Sequence, residues 1–330
     1  MRRLVALVVA LMLVLASSAQ ATSTRRLAGR DRYETAAVVT LDRWDHPTDP
    51  VLASGEDPAD ALAGAFVSGL HGSPLLLTAA DALPAATLDA LRSIGPKVVH
   101  VLGGTASISE HVVDQLQAEG WVVKRHAGSD RYGTAVAAGL SEGPAIIGSY
   151  RGEGRTAIMA NGHRPFDALA AGPLSAGQLL PLVLTATDSV PAVTMQGLDD
   201  MRIDHVLVLG GTGVVSDAVV HQLEESGRTV RRIAGVDRAG TAVAVADVLV
   251  DELGYDVSVA SLVSATEWAD ALAAGPWGYP DKPVLLCETP SFCGATTTEW
   301  AKSHALDEIV VVGGEASVSD VAAMGVATPW

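Results

Sequence analysis

Arg26-Leu-Ala-Gly-Arg-Asp-Arg-Tyr-Glu-Thr-Ala36 opens a pattern that the chain repeats twice more, and this repetition decides the fold. The second copy is Arg125-His-Ala-Gly-Ser-Asp-Arg-Tyr-Gly-Thr-Ala135, and the third is Arg232-Ile-Ala-Gly-Val-Asp-Arg-Ala-Gly-Thr-Ala242. The copies are about 100 residues apart, which is the size of a small domain and longer than a solenoid repeat. The sequence therefore predicts three tandem domains, at 22–120, 121–227 and 228–330.

Three further motifs recur at the same spacing. The segment Asp-Ala-Leu-Ala begins at Asp60, Asp167 and Asp270. An apolar segment headed by proline comprises Pro74, Leu75, Leu76 and Leu77, then Pro181, Leu182, Val183 and Leu184, then Pro283, Val284, Leu285 and Leu286. A glycine pair follows an apolar run at Gly103 and Gly104, at Gly210 and Gly211, and at Gly313 and Gly314. Each domain is thus a copy of one module.

Short apolar runs alternate with longer helical patterns within the first module. We predict strands over 22–28, 50–54, 73–78 and 97–102, and helices over 32–41, 58–70 and 79–93, with a fourth helix that ends at Gln117. Continuous apolar strands are typical of parallel sheets covered on both faces. Each module is therefore expected to be a small doubly wound α/β unit. Linkers are nearly absent, so we expect the three to pack around a pseudo-threefold axis.

The first 21 residues have the pattern of an export signal. Arg2 and Arg3 precede the apolar run 4–15, and Ala19-Gln20-Ala21 fits a cleavage site. We predict a cleaved signal peptide and a secreted protein with no membrane attachment after cleavage. An uncleaved membrane anchor is the alternative.

The composition is acidic, with 38 Asp and Glu against 22 Lys and Arg and a net charge of −16. This balance argues against nucleic acid as a partner, because phosphate contacts need an excess of cations. It also gives no attraction to an anionic membrane. The two cysteines, Cys287 and Cys293, lie in the third module. In an exported protein they could form a local disulfide or remain two free thiols.

Two sets of recurring charged residues are candidates for function. The arginines that could grip an anionic polymer are Arg26, Arg125 and Arg232, and Arg32, Arg131 and Arg238. The alternative is that they pair with aspartates across module contacts. The aspartates expected at helix N-caps are Asp31, Asp130 and Asp237. The aspartates Asp60, Asp167 and Asp270 are expected to have a structural role in the repeated motif.

Catalytic machinery is hard to find in this sequence. It has neither the His-Glu-x-x-His nor the Gly-x-Ser-x-Gly pattern, and no histidine recurs in all three modules. We therefore predict no catalytic residue, no metal site and no cofactor. The glycine pairs could form part of a nucleotide site, but the full pattern of spaced glycines is missing. A tight strand-to-helix turn is the other interpretation of these pairs.

Together these motifs resemble the cell wall-binding repeat 2 family over essentially the whole chain after residue 21. The resemblance implies three Rossmann-like or Toprim-like domains in a triangular arrangement, as in S-layer and other surface proteins. It also implies non-covalent attachment to an anionic secondary polymer of the Gram-positive cell wall. A Pro-Ile-Leu-Leu motif implicated in that attachment corresponds to the three proline-headed segments.

The chain departs from the family pattern at several positions. Leu75, Leu182 and Val284 replace the isoleucine, and Ala239 replaces the tyrosine found at positions 33 and 132. Family members usually carry an effector domain, sometimes a zinc amidase, for which this chain has no room. We therefore predict a non-enzymatic wall-attachment protein. The alternatives are a hydrolase with an unrecognised site and a small-ligand or nucleotide binder.

Overall fold

A computed structural model describes residues 22–46 and 48–328 of the chain. The predicted signal peptide, residues 1–21, lies outside the described residues. Among the residues that are described, no helix has the length and apolar character needed to cross a membrane.

The strands form three four-stranded sheets in which every neighbouring pair is parallel. The first sheet contains β2 (Val51–Ser54), β3 (Leu75–Thr78), β4 (Val98–Leu102) and β5 (Val122–His126), in the order β3-β2-β4-β5. The second contains β6 (Thr156–Asn161), β7 (Leu182–Thr185), β8 (His205–Leu209) and β9 (Thr229–Ile233), in the order β7-β6-β8-β9. The third contains β10 (Val259–Ser264), β11 (Val284–Cys287), β12 (Glu308–Val312) and β1 (Ser23–Leu27), in the order β11-β10-β12-β1.

The strand that opens each sequence repeat lies in the sheet of the preceding repeat. Strand β5 pairs with β4, and β9 pairs with β8. The first strand has no preceding repeat, and it pairs instead with β12 of the third, from Ser23 beside Glu308 to Leu27 beside Val312. The sequence analysis placed residues 22–28 at the start of the first module, whereas this strand completes the third sheet. The chain is thereby closed into a ring.

Helices cover the sheets as the alternating pattern predicts. In the first module they are α1 (Arg32–Arg43), α2 (Pro58–Leu62), α3 (Gly64–His71), α4 (Ala85–Ile94) and α5 (Glu110–Ala118). In the second they are α6 (Arg131–Gly139), α7 (Gly172–Gln178), α8 (Ala192–Asp200) and α9 (Asp217–Glu225), with 3-10 turns at Pro144–Ile146 and Pro165–Ala171. In the third they are α10 (Arg238–Asp247), α11 (Trp268–Gly278), α12 (Gly294–Ser303) and α13 (Asp320–Ala327), with a π-helical turn at Val248–Glu252.

Two helices of the first module differ from their predicted extents. The helix predicted from residue 79 begins only at Ala85, because Pro84 lies at its N-cap and the residue before a proline disfavours helical dihedrals. The helix predicted over 58–70 is divided into α2 and α3 around Ala63. The remaining strands and helices of this module lie where the pattern predicts them, within one to three residues.

The helices α3, α7 and α11 meet one another at the centre of the molecule. Small residues allow this contact, because Gly69 packs directly on the backbone of Ala176, and Gly172 on that of Gly275. The members of each pair occupy equivalent positions in their modules, as residues close to a threefold axis do. The structure therefore confirms an α/β fold built from three modules around a pseudo-threefold axis.

The third module contains the two cysteines of the chain. Cys287 ends β11 and Cys293 lies at the N-cap of α12, and a disulfide joins them. Of the two interpretations of this pair, the structure has the bridged form.

Candidate functional site

Three equivalent clefts lie where one module meets the next. One wall of each cleft comes from a Gly-x-Asp-Arg segment, and the other comes from an Asp-Ala-Leu-Ala segment and the glycine turn of the preceding module. The residues that line cleft 1 include Asp57, Asp60, Gly104, Ser107, Asp130 and Arg131. Those of cleft 2 include Arg164, Phe166, Asp167, Gly211, Asp237 and Arg238. Those of cleft 3 include Asp31, Arg32, Glu267, Asp270, Gly314 and Ser317. The volumes of the three clefts are about 230, 520 and 200 Å³, respectively.

The first wall is a helix start that the motif builds through its aspartate. Asp31 accepts hydrogen bonds from the backbone N–H groups of Tyr33 and Glu34. Asp130 accepts one from Gly133, and Asp237 accepts one from Gly240, each at 2.8 Å. These carboxylates satisfy N–H groups that have no partner inside the helix. The structure thus places all three at N-caps.

The second wall is organised around the first glycine of the Gly-Gly pair and an aspartate, which is buried in clefts 1 and 3 and half-buried in cleft 2. Gly103, Gly210 and Gly313 all follow a strand and have φ angles of 99°, 93° and 113°. A side chain on Gly103 would lie 2.6 Å from a carboxylate oxygen of Asp60. A side chain on Gly313 would lie 2.3 Å from Asp270, and one on Gly210 would lie 3.2 Å from Asp167. The dihedral angle therefore favours glycine at all three turns, and the space requires it at Gly103 and Gly313.

The three aspartates bind hydroxyl groups. Ser107 donates to Asp60 at 2.8 Å, and Ser317 donates to Asp270. Val214 replaces this serine in the second module, and Asp167 instead accepts a hydrogen bond at 3.0 Å from Thr241, across the junction. Burial raises the pKa of Asp270 to about 6, with a smaller opposing effect of the Ser317 hydrogen bond. Among the described residues no ion pair joins these aspartates to the six motif arginines.

The second arginine of each motif reaches from its helix start to the neighbouring loop of its own module. Arg32, Arg131 and Arg238 donate to the carbonyl oxygens of Gly55, Gly162 and Ala265, at 2.5, 2.6 and 2.8 Å, respectively. Each also contacts the preceding module across the cleft. The partners are Asp57 at 3.2 Å for Arg131, the ring of Trp268 at 5.2 Å for Arg32, and the ring of Phe166 at 4.6 Å for Arg238.

The first arginine of each motif holds the glycine turn. Arg26, Arg125 and Arg232 donate to the carbonyl oxygens of Gly313, Gly103 and Gly210, at 2.6, 2.8 and 2.8 Å. Each also pairs with an acid in the first turn of the following helix: Asp320, Glu110 and Asp217. These arginines already have partners in the protein, and they do not line the three clefts.

The proline-headed segments form the edge strands β3, β7 and β11 and lie outside the clefts. Their aliphatic side chains are almost completely buried, with at most 2% of the surface of each exposed. A side chain that is buried cannot touch a polymer in solvent. We therefore assign these segments to the core, and they contribute to a surface site only through the fold that they stabilise.

The second glycine of each pair leaves open space in its cleft. An added side-chain carbon at Gly104, Gly211 or Gly314 would meet no atom within 4 Å. The cleft walls therefore offer exposed backbone, carboxylates and one motif guanidinium each. The residues lining the clefts include no histidine and no cysteine. This arrangement is suited to hydrogen bonding with a polar ligand.

The contacts made by Asp57, Phe166 and Trp268 were missed by the sequence analysis. Each of the three side chains contacts a motif arginine across a junction, but one is a carboxylate, one a phenyl ring and one an indole. No repeated residue therefore identifies these positions in the sequence. The only available signal was their position within three residues of the repeated Asp60, Asp167 and Asp270.

Comparison with known proteins identifies the modules. The family model for cell wall binding domain 2 matches residues 26–113, 125–220 and 232–323. The N-acetylmuramoyl-L-alanine amidase LytC of Bacillus subtilis is 26% identical over 297 residues, which are 90% of this chain and 56% of the amidase. The amidase enhancer of the same organism is 28% identical over 297 residues, 90% of this chain and 39% of that protein.

Solved structures show the same fold. Cwp6 from Clostridium difficile superposes with a TM-score of 0.82 at 22% identity, covering 94% of this chain and 48% of Cwp6. Cwp8 from the same organism has a TM-score of 0.77 at 20% identity, covering 95% of this chain and 53% of Cwp8. The chain thus spans about half the length of these proteins. With three matched repeats and the expected fold, this chain belongs to the cell wall binding domain 2 family.

Proposed function

We propose that the chain attaches non-covalently to an anionic polymer of the bacterial cell wall through the three junction clefts. The observation that carries this proposal is the convergence of three repeated motifs on each cleft. Motifs needed only for the fold of one module would have no reason to meet at the junctions between modules. The family of wall-binding domains supports the wall as the target, and we propose a secreted protein located at the cell surface.

Charge limits how an anionic polymer could bind. The chain has a net charge of −16 and repels such a polymer overall. Attraction therefore has to come from local cations, and Arg32, Arg131 and Arg238 are the motif arginines that reach the clefts. The N-cap aspartates beside them already accept backbone hydrogen bonds. A guanidinium is suited to this role because its planar donors match carboxylate and phosphate oxygens.

Three linked sites explain why one module recurs. Binding at one cleft raises the effective concentration of polymer at the other two, so that weak single contacts add to a strong attachment. This advantage applies to a binding protein with a repetitive ligand. One of the relatives is named as an amidase. Our proposal assigns no reaction to this chain.

Sedimentation with purified cell walls tests the proposal. We expect the purified chain to sediment with intact walls, to stay in solution with walls stripped of anionic polymers, and to bind less as salt is raised. The triple variant Arg32→Gln, Arg131→Gln, Arg238→Gln should bind far less than any single variant. Equal binding to stripped walls would refute the anionic polymer as ligand. Release of peptidoglycan fragments by the pure chain would favour the hydrolase alternative.

A further inference from the structure

Three potential metal ligands converge in the first module, away from the clefts. Asp49 precedes β2, His71 ends α3, and His100 lies in the middle of β4. One ligand atom of each lies within 4.8 Å of those of the other two. Asp49 and His71 lie near the amino ends of their neighbouring strands, whereas the clefts lie at the carboxyl ends. The sequence analysis predicted no metal site, because these residues come together only in the folded module.

Two of the three side chains present nitrogen atoms without a protein partner. The Nε2 atoms of His71 and His100 are buried and make no hydrogen bond to any part of the chain that the structure describes. His100 is completely buried, and the centroids of the two rings are 4.2 Å apart. Buried polar atoms nearly always have partners in native proteins. A shared cation would satisfy both nitrogens at once.

His126 orients the ring of His100 for this role. Its Nε2 atom lies 2.9 Å from Nδ1 of His100, and the two ring planes are 3° from parallel. With the proton on Nδ1 and donated to His126, Nε2 of His100 keeps a free lone pair. Metal-binding histidines commonly have such a second hydrogen bond, which fixes the tautomer and the ring orientation.

The surroundings of the three side chains agree with a cation site. Asp49 supplies a carboxylate, oriented by a hydrogen bond of 3.1 Å from the backbone N–H of Val98. A cavity of about 380 Å³ beside Asp49 and His71 gives access from solvent.

Two lysines lie near Asp49, His71 and His100 and contribute to the local charge. Lys97 lines the cavity and weakens the attraction of a cation. Lys124 is paired with Glu142 at 3.7 Å, and this ion pair offsets much of its effect. The single ligand carboxylate and the two imidazoles therefore have to supply most of the binding through direct coordination.

We propose that Asp49, His71 and His100 bind a divalent transition-metal ion with the ligand preferences of Zn²⁺. Two imidazoles and one carboxylate match the donors that zinc takes, whereas Mg²⁺ and Ca²⁺ favour oxygen ligands. The equivalent positions of the second module hold Thr156, Gln178 and Leu207. The site is therefore absent from the second module and is separate from the shared clefts.

Equilibrium dialysis of the untagged full chain against Zn²⁺, followed by metal analysis, tests this inference. We expect one equivalent of zinc that a large excess of Mg²⁺ does not displace. Asp49→Asn keeps the acceptor for Val98, and His71→Ala changes a half-buried residue, so both variants should fold. Each should weaken zinc binding at least tenfold. His126→Leu, which removes the acceptor for Nδ1 of His100, should weaken it about 10–100-fold.

His221→Ala, at an exposed histidine in α9, serves as the control and should bind zinc like the parent. Binding of Co²⁺ should give visible absorption bands that His71→Ala abolishes. A parent chain that retains no zinc after dialysis would overturn the proposal. So would zinc binding that is equally strong in folded Asp49→Asn and His71→Ala variants. Neither result depends on wall attachment, so the two proposals fail independently.

Discussion

At the scale of single residues, the repeated motifs are contacts between a charged or polar side chain and a backbone turn. Asp60 lies against Gly103, and Arg125 holds the carbonyl oxygen of the same glycine. The repetition identified these residues in the sequence. Their partners were not predictable, because the contacts join residues far apart in the chain. Pairing of the arginines with aspartates across module contacts was one of two interpretations. Among the described residues Arg131 pairs in this way with Asp57, whereas hydroxyl groups bind Asp60, Asp167 and Asp270.

The two glycines of the first pair should respond differently to substitution. Gly103→Ala places a side chain at a φ of 99° and 2.6 Å from the Asp60 carboxylate, so we expect a loss of about 1–3 kcal/mol in the free energy of unfolding. Gly104→Ala is the matched control, because it meets open space, and it should be nearly neutral. Denaturant unfolding of both variants measures the difference. Equal stability of the two would show that the turn is not constrained as described.

The buried Asp270 should make stability depend on pH. Its pKa of about 6, against about 3.9 for an aspartate in water, means that the folded chain holds a proton that the unfolded chain releases. This contribution to stability is complete below about pH 4 and is lost as the pH rises through 6. Asp270→Asn cannot titrate. Its stability relative to the parent should therefore rise by about 2 kcal/mol between pH 4 and pH 7.

Denaturant unfolding at several pH values checks this expectation, and the comparison at pH 4 serves as the internal control. A stability difference between parent and variant that stays constant from pH 4 to pH 7 would contradict the assignment of a raised pKa to Asp270.

At the scale of elements, the sequence predicted the strands well and their pairing less well. Apolar runs located β2, β3 and β4, and the parallel arrangement followed from them. The place of β1 beside β12 was not predictable, because nothing within residues 22–28 indicates which sheet receives them. If Pro84 had been taken as the sign of a helix start, the predicted start of α4 would have been correct, because proline is common in the first turn of a helix.

The central helices should not tolerate a larger residue at their contacts. A side chain on Gly69 would lie 2.6 Å from the Cα atom of Ala176, so Gly69→Ala has to push α3 and α7 apart. We expect a loss of about 1–3 kcal/mol from overpacking. Gly325→Ala, in a helix with open space around the glycine, is the control and should stabilise the chain by about 0.5–1 kcal/mol. Thermal unfolding separates the two, and a Gly69→Ala variant as stable as the control would contradict the described packing.

At the scale of the whole molecule, the ring brings the motifs together. Each cleft needs residues from two modules, and the third cleft forms because the chain returns from the third module to the first. The sequence predicted the three modules and their symmetry from the repeats. It offered a meeting of the arginine and aspartate motifs at the junctions only as one of two interpretations, because that meeting depends on how the modules dock.

The most direct test of the account fills the three clefts while leaving the fold intact. Gly104→Glu, Gly211→Glu and Gly314→Glu each place a bulky anionic side chain in open space within one cleft. Gly325→Glu adds the same group outside the clefts and is the control. All variants should melt close to the parent, and sedimentation with intact cell walls is the measurement. We expect a moderate loss of wall binding for each single variant and a complete loss for the triple variant, because each linked site contributes part of the binding. A folded triple variant that sediments with walls as fully as the control would contradict it.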